Sequence, residues 1–300
     1  MQLERRTWTG KALGTEVTLV VVTSDASAGD EALLRAAQDL EETEECLSRF
    51  RPESELGVLN REGTVLAGPR LQTAIRASIR AHEWSGGLLD PRIIDALEGF
   101  GYRSSLPKGD VGAAESRGPL SPTDMSGWVD EADGRVTLPE DVRLDLAGVG
   151  KALGIVWAAA RLAGHTGLLV DVGGDVVALG SDEHRAPWRV AVGHEEVVGE
   201  FEGTALAVAT STTRLRSWRA AGREVHHIMD PRTGAPSEGD LLYATVAAPT
   251  VLEADLAAKL LIIEGRAAGR KIGDPCRIVV TDRKGETHFL EGGLPAQVVA

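Results

Sequence analysis

The stretch TVLEADLAAKLLIIEG, residues 250–265, sets two opposite charges inside an otherwise apolar run. Thr250 and Glu253 have the spacing of a capping box, in which a hydroxyl and a carboxylate each satisfy a free backbone N–H at a helix start. A helix is therefore expected here. At about 100° per residue, Glu253 and Glu264 fall on one edge, read as the solvent edge. Asp255 and Lys259 fall on the opposite side among Leu252, Leu256, Leu260 and Ile263. Charges among leucines are costly unless they are paired or bind something. The pair wants a partner, and the rest of the chain has to supply it.

Outward from this helix, strands and helices are mixed without a strict βαβ alternation, which favours an α+β fold over a doubly wound sheet. GTEVTLVVVT (14–23) alternates and then turns β-branched, as an early strand does. Helices are expected from Asp30 to about Arg49, from Pro69 to Trp84, and after a short extended entry within RLDLAGVGKALGIVWAAARLAG (143–164). GLLVDVGGDVVALG (167–180) reads as a hairpin turning at Gly173-Gly174. WRVAVG, TALAVATST, ATVAAP and RIVVTD are further short strands. The segment 101–127 is rich in Gly, Pro and Ser and reads as an internal loop, because structured patterns resume on both sides.

The 300 residues leave ample interior for a core, and 43% hydrophobic with 26% charged residues is ordinary for a globular chain. The net charge of −13 argues against non-specific binding to nucleic acid or anionic membrane. A phosphate-bearing ligand must therefore be held by local cations, a metal or backbone N–H groups. Cys46 and Cys276 show no metal-ligand spacing, so neither a disulfide scaffold nor a zinc site is expected. No signal peptide or membrane-length apolar run is read, and a cytoplasmic protein is expected.

Three polar, glycine-rich stretches are candidates for chemistry. In DLAGVGKALG (145–154), Gly148 and Gly150 before Lys151 leave backbone groups open at a helix start, an anion cradle or simply a helix with a solvated lysine. In VDVGGDVV (170–177), Asp171 and Asp175 flank a tight turn, which is also common in plain hairpins. In VHHIMDPRTGAP (225–236), His227 stands three residues before Asp230 at a stiff bend with Thr233 and Gly234. It is either an oriented general base or part of a turn that bonds only its own backbone. His226 and His227 are adjacent, which disfavours joint metal ligation.

Taken in order, SRFRPESELGVLN (48–60), LLDPRIIDALEGFG (88–101), DLAGVGKALG, VDVGGDVVALG, AVATSTTRLRSW, HHIMDPRTGAP and the 250–265 helix resemble the FAD-dependent protein FMN transferases, the ApbE family. The resemblance implies a single compact mixed domain over residues 1–300, of the flavin transferase (T-fold-like) type. It implies transfer of FMN from FAD to a Thr or Ser of an acceptor flavoprotein, with release of AMP. FAD contacts are implied for Leu13, Leu88, Leu89, Asp90, Asp145, Lys151 and Ile228, with Gly173, Gly174, Asp175, Thr233 and Lys259 around the same site. His227 is implied as the base and Asp230 as its catalytic neighbour. Magnesium is implied on the pyrophosphate, held by the Gly148 carbonyl and the Asp255 carboxylate, with a threonine four residues after that aspartate.

That threonine position is Lys259. An ammonium cannot ligate magnesium, so Lys259 is expected either to place its own charge where the ion sits, or to snorkel outward and leave the metal to Gly148 and Asp255. Other positions drift as well: Thr212 stands for a glycine, Arg92 and Ile94 for smaller residues, Asp171 for an asparagine and Val156 for an aspartate. The rival readings are an FAD-binding relative without transfer activity (a sensor, carrier or partner subunit), an FAD pyrophosphatase, and a scaffold relative that binds no flavin. A homodimer is compatible with the sequence.

Overall fold

A computed structural model of the chain describes residues 2–103, 106–112, 114–193, 196–273 and 275–291. Ser104, Ser105 and Ala113 of the 101–127 loop, and the chain after 291, lie outside the described residues. Among the described residues no helix is long and apolar enough to cross a membrane.

The centre is one eight-stranded antiparallel sheet whose strands lie side by side in chain order. They are Glu4–Ala12, Thr15–Thr23, Gly167–Val172, Asp175–Gly180, Ala205–Thr212, Leu241–Ala247, Arg277–Asp282 and Thr287–Glu291. Long excursions leave this meander between the second and third strands, the fourth and fifth, the fifth and sixth, and the sixth and seventh. The first strand, ERRTWTGKA, escapes sequence reading because its only large apolar residue is Trp8. It pairs in full register with Thr15–Thr23 and forms a charged edge of the kind that resists edge-to-edge association.

Both faces of the sheet are covered, which is why the second strand reads VTLVVV rather than alternating. Val17, Leu19 and Val21 face a helical layer, and Val20 and Val22 face Trp188 and Phe201 of the hairpin Trp188–Gly193/Val197–Gly203. Each such fully buried aliphatic side chain contributes about 1.5–3 kcal/mol of hydrophobic stabilisation. In the helical layer, α1 (Ala26–Leu47) lies over the first two strands. Two more layer helices, found at Ala147–Arg161 and Val251–Glu264, lie over the next two pairs. Numbering the helices along the chain, α2 is Glu55–Glu62, α3 Pro69–Ser85, α4 Ile94–Gly99, α5 Ala147–Arg161 and α6 Val251–Glu264.

The expected capping box is present on α6: Thr250 Oγ1 accepts from Glu253 N–H while Glu253 accepts from Thr250 N–H. The helix is buried on nearly all sides between α5 and the fifth and sixth strands, as an all-round apolar helix must be. Glu253 lies on the solvent edge as read, but Glu264 is half-buried and paired with Lys271. The 101–127 segment is irregular, yet it is not a free tether. Ser116 Oγ donates to the Thr233 carbonyl at 2.6 Å, and Leu120 N–H to the Pro231 carbonyl at 2.8 Å, so the segment braces the 230–234 bend.

Candidate active site

The sheet brings one end of α5, the interior of α6 and the Gly173-Gly174 turn together. Gly173 has φ +62°, and a Cβ there would sit 2.4 Å from Thr15 Oγ1, so only glycine makes this turn. The turn delivers Asp175 to the helical face of the sheet with no solvent exposure, where Thr210 N–H donates to its Oδ1 at 3.0 Å. Lys151 Nζ, from the first turns of α5, lies 2.5 Å from Asp175 Oδ2 as an ion pair without hydrogen-bond alignment. Beside it, Lys259 donates to Oδ1 of Asp255, which is 1% exposed. Each member of the pair is the other's partner, and Lys259 does not snorkel away.

The two pairs form one cluster. Burial works to lower the Lys151 ammonium, but the carboxylates of Asp175 and Asp255 overturn it and hold its pKa above the ordinary lysine value. The neighbouring Asp171 is pushed up by burial, against the pull of the Gly174 N–H on its Oδ1 at 2.9 Å. Asp255 Oδ2 is buried and has no hydrogen-bond partner among the described residues.

His227 follows the strand Arg223–His226 and is half-buried. Burial lowers its pKa to about 3, with the Arg216, His226 and Lys259 side chains adding to the effect, so the imidazole is neutral at physiological pH. Its Nδ1 is buried with no hydrogen-bond partner. His226 is different. Its ring lies between the Ser237 carbonyl, 3.0 Å from Nε2, and the Ile228 N–H, which donates to Nδ1 at 3.3 Å. Backbone groups hold both of its nitrogens.

The other sequence candidates frame this centre or brace it. Asp230 does not orient His227: its carboxylate accepts from Arg232 Nε at 2.9 Å and Nη2 at 2.7 Å. The Thr233 hydroxyl donates to the Asp230 carbonyl, and Gly234 takes φ +61° to close the bend, as the turn reading held. Leu13 sits in the left-handed region at φ +53° in the turn between the first two strands, with its N–H on Glu44 Oε2 at 2.6 Å. Strain of this kind in a leucine is uncommon and clusters at functional sites. Leu88 and Ile228 share a core cluster with Leu89 packed against it. Asp90 is enclosed by Arg92, whose guanidinium also reaches Thr123 and the Ser121 carbonyl, and by His82 at 3.4 Å. Gly148 has open space where a side chain would stand.

Sequence reading missed three residues. Arg49, 5% exposed along its side chain, lies 2.7 Å from Asp145 Oδ2, with its guanidinium against the rings of both Phe50 and Tyr102. Glu44 holds the Leu13 turn. Arg216 lies near Gly14, Lys151 and His227. Only the run TRLRSWRAAGR (213–223) signalled it, and that run carries four arginines without saying which turns inward. Two surface cavities, about 450 Å³ beside Trp218 and about 280 Å³ beside His82, contain no member of the lysine–aspartate cluster.

The sequence model of the ApbE family matches residues 13–277. The chain belongs to the ApbE family. The FAD:protein FMN transferase of Salmonella typhimurium is 28% identical over 266 residues, covering 82% of this chain and 75% of that protein. That of Escherichia coli K12 is 26% identical over 266 residues, with 82% and 74% covered. Among solved structures, the ApbE protein of Thermotoga maritima superposes with a TM-score of 0.83 at 22% identity, covering 96% of this chain and 97% of that one. The apo flavinyl transferase ApbE of Pseudomonas stutzeri gives 0.80 at 21%, with 97% and 96% covered. These structures share the α+β fold.

Within this ApbE chain the donor set at Gly148, Asp255 and Lys259 does not fit a resident magnesium ion. Magnesium demands close to six oxygen ligands. Here one oxygen of the only carboxylate in the set is bonded to Lys259, and the third position is an ammonium, itself a cation. Of the other departures, Val156 is exposed on α5, and the Thr212 hydroxyl accepts from Arg214 N–H in a turn. Neither adds a charge to the cluster.

Proposed function

We propose that this chain moves FMN from FAD to a threonine or serine hydroxyl of an acceptor protein and releases AMP. The observation that carries the reading is a neutral imidazole, His227, whose Nδ1 is buried with no hydrogen-bond partner among the described residues, beside the cations of Arg216 and Lys259. In the reaction the acceptor oxygen bonds to the phosphorus on the FMN side. The bond from that phosphorus to the AMP oxygen breaks, AMP leaves with the electron pair, and the hydroxyl proton passes to His227. Phosphoryl transfer depends chiefly on positioning and charge neutralisation. Lys151 supplies a fixed cation, and the open Gly148 at the start of α5 lets an anion approach the backbone. Leu13, Leu88, Leu89 and Ile228 offer apolar contacts for the flavin end, while Asp90 and Asp145 hold the connecting segments.

A base with a pKa of about 3 is weak in the free protein. Burial depresses it first, and the Arg216 and Lys259 cations that add to the effect are ones a bound pyrophosphate neutralises, so substrate binding acts to raise the imidazole. In this reading Lys259 supplies in the protein part of the charge for which the family resemblance implied magnesium, and no step runs through a metal.

The test is to incubate the protein with FAD and a bacterial lysate, following AMP by chromatography and covalent flavin by in-gel fluorescence. AMP together with fluorescent protein bands, both lost in H227A, is the expected result. AMP with free FMN and no labelled band identifies hydrolysis instead. FAD binding without AMP identifies a relative that does not transfer.

A further inference from the structure

Among the arginines of 213–223, three have partners. Arg214 lies 3.7 Å from Glu224, Arg223 lies 3.5 Å from Glu238, and Arg219 donates to the Gly222 carbonyl at 2.9 Å. Arg216 does not follow them. It is only partly exposed, and its guanidinium makes no hydrogen bond or ion pair with the described residues. Its Nη2 is 3.8 Å from where a Gly14 side chain would begin, against the turn that carries the strained Leu13. From there its charge bears on both Lys151 and His227.

The charges around it make that position informative. Lys151 is matched by Asp175, and Lys259 by Asp255. Asp171 is the remaining acid at the turn, and its Oδ1 accepts from the Gly174 N–H at 2.9 Å and not from Arg216. Arg216 is therefore a cation without a counter-charge, facing a second cation and an imidazole that cannot share a proton with it. A guanidinium in such a place lacks the anion that its planar donor fork fits. The alternative of a solvent-facing arginine is met by its three companions, which point outward to partners on the surface.

Resting on the transfer reaction above, we propose that Arg216 binds the phosphate oxygens of the dinucleotide's pyrophosphate. The bound anion is the counter-charge that the protein omits. Arg216 touches substrate in this account, whereas Arg49, which acts through Asp145, only positions.

The test uses the full chain and two variants, R216Q and R216K, with binding of inorganic pyrophosphate and of FAD measured by titration calorimetry. Because Arg216 gives up no intramolecular partner, both variants are expected to fold with the melting temperature of the parent. R216Q is expected to weaken pyrophosphate and FAD binding at least about tenfold, the scale of one charge-assisted bidentate contact, and R216K to recover part of it. The titration of His227, followed by NMR in the ligand-free protein, is expected to move upward in R216Q, which a merely structural arginine does not predict. Equal pyrophosphate binding in R216Q and parent overturns the proposal even if the parent transfers FMN. Arginine-dependent pyrophosphate binding in a protein that makes no AMP from FAD upholds it and removes the transfer reading instead.

Discussion

The ammonium of Lys259 lies on Oδ1 of Asp255, one helical turn earlier on α6, and while Lys259 is only half-buried, the Asp255 carboxylate is enclosed. Breaking a buried pair by removing one member leaves an uncompensated charge, which costs about 3–5 kcal/mol. Lys259→Thr is therefore expected to lower stability by that order in the presence of a chelator. The same change restores an oxygen where the ammonium stood, so magnesium is expected to raise the melting temperature of the variant and leave that of the parent unmoved. Differential scanning fluorimetry with and without magnesium checks both. A parent stabilised by magnesium as strongly as the variant removes the substituted-charge account.

His227 gives a pH dependence with a definite sign. Its folded pKa, about 3, lies below the ordinary histidine value of about 6.5, so between these limits the unfolded chain carries a proton that the folded chain does not. Its contribution is fully present above pH 6.5 and is lost as the pH falls, with a limiting slope of about 1.4 kcal/mol per pH unit. Carboxylates held low by partners, such as Asp39 beside Arg161 and Arg70, act in the same direction at lower pH. Urea unfolding of the parent and of H227Q from pH 4 to 7 isolates the histidine. Parallel curves count against a neutral buried imidazole.

The two glycines of the 172–175 turn differ in a way that substitution reveals. Both have positive φ, +62° and +88°, but a Cβ on Gly173 collides with Thr15 whereas one on Gly174 meets open space. Gly173→Ala is expected to cost about 1–3 kcal/mol or more, and Gly174→Ala about 1 kcal/mol. Chemical denaturation gives the order. Equal losses show that Thr15 can move aside.

Cys46 is buried near Glu55, whose carboxylate oxygen is 3.6 Å from its sulfur, and burial first and Glu55 second push the thiol up to about 12. The thiolate is the reactive form, so at pH 8 its alkylation in the native protein is expected to be at least about a thousandfold slower than in the unfolded chain. Peptide mapping after iodoacetamide treatment measures it. Prompt native labelling of Cys46 contradicts this burial.

Much of the helical layer and several of the strands were legible in the chain. The capping residues of α6, the β-branched run of Thr15–Thr23 and the glycine pair of the 167–180 hairpin are local signals, fixed by backbone geometry and by what each face buries. The edge strand Glu4–Ala12 was not legible, because its pairing with Thr15–Thr23 supplies the order that its own composition lacks. Nor was the hydrogen-bonded brace of the 230–234 bend by residues 116–120, since Gly, Pro and Ser announce irregular backbone but not what it rests on.

By itself, the sequence determined that Asp255 and Lys259 share one side of a helix, because i and i+4 side chains must, and that such a pair among leucines needs compensation. It also put His227 at a stiff bend. Only the tertiary structure decided that Lys151 meets Asp175 beside that pair, that Asp230 turns to Arg232, and that the Arg216 guanidinium makes no hydrogen bond or ion pair among the described residues. The reason is that local geometry fixes neighbours within a helical turn or a hairpin. Electrostatic partners drawn from three separate elements are fixed only when the sheet closes beneath them.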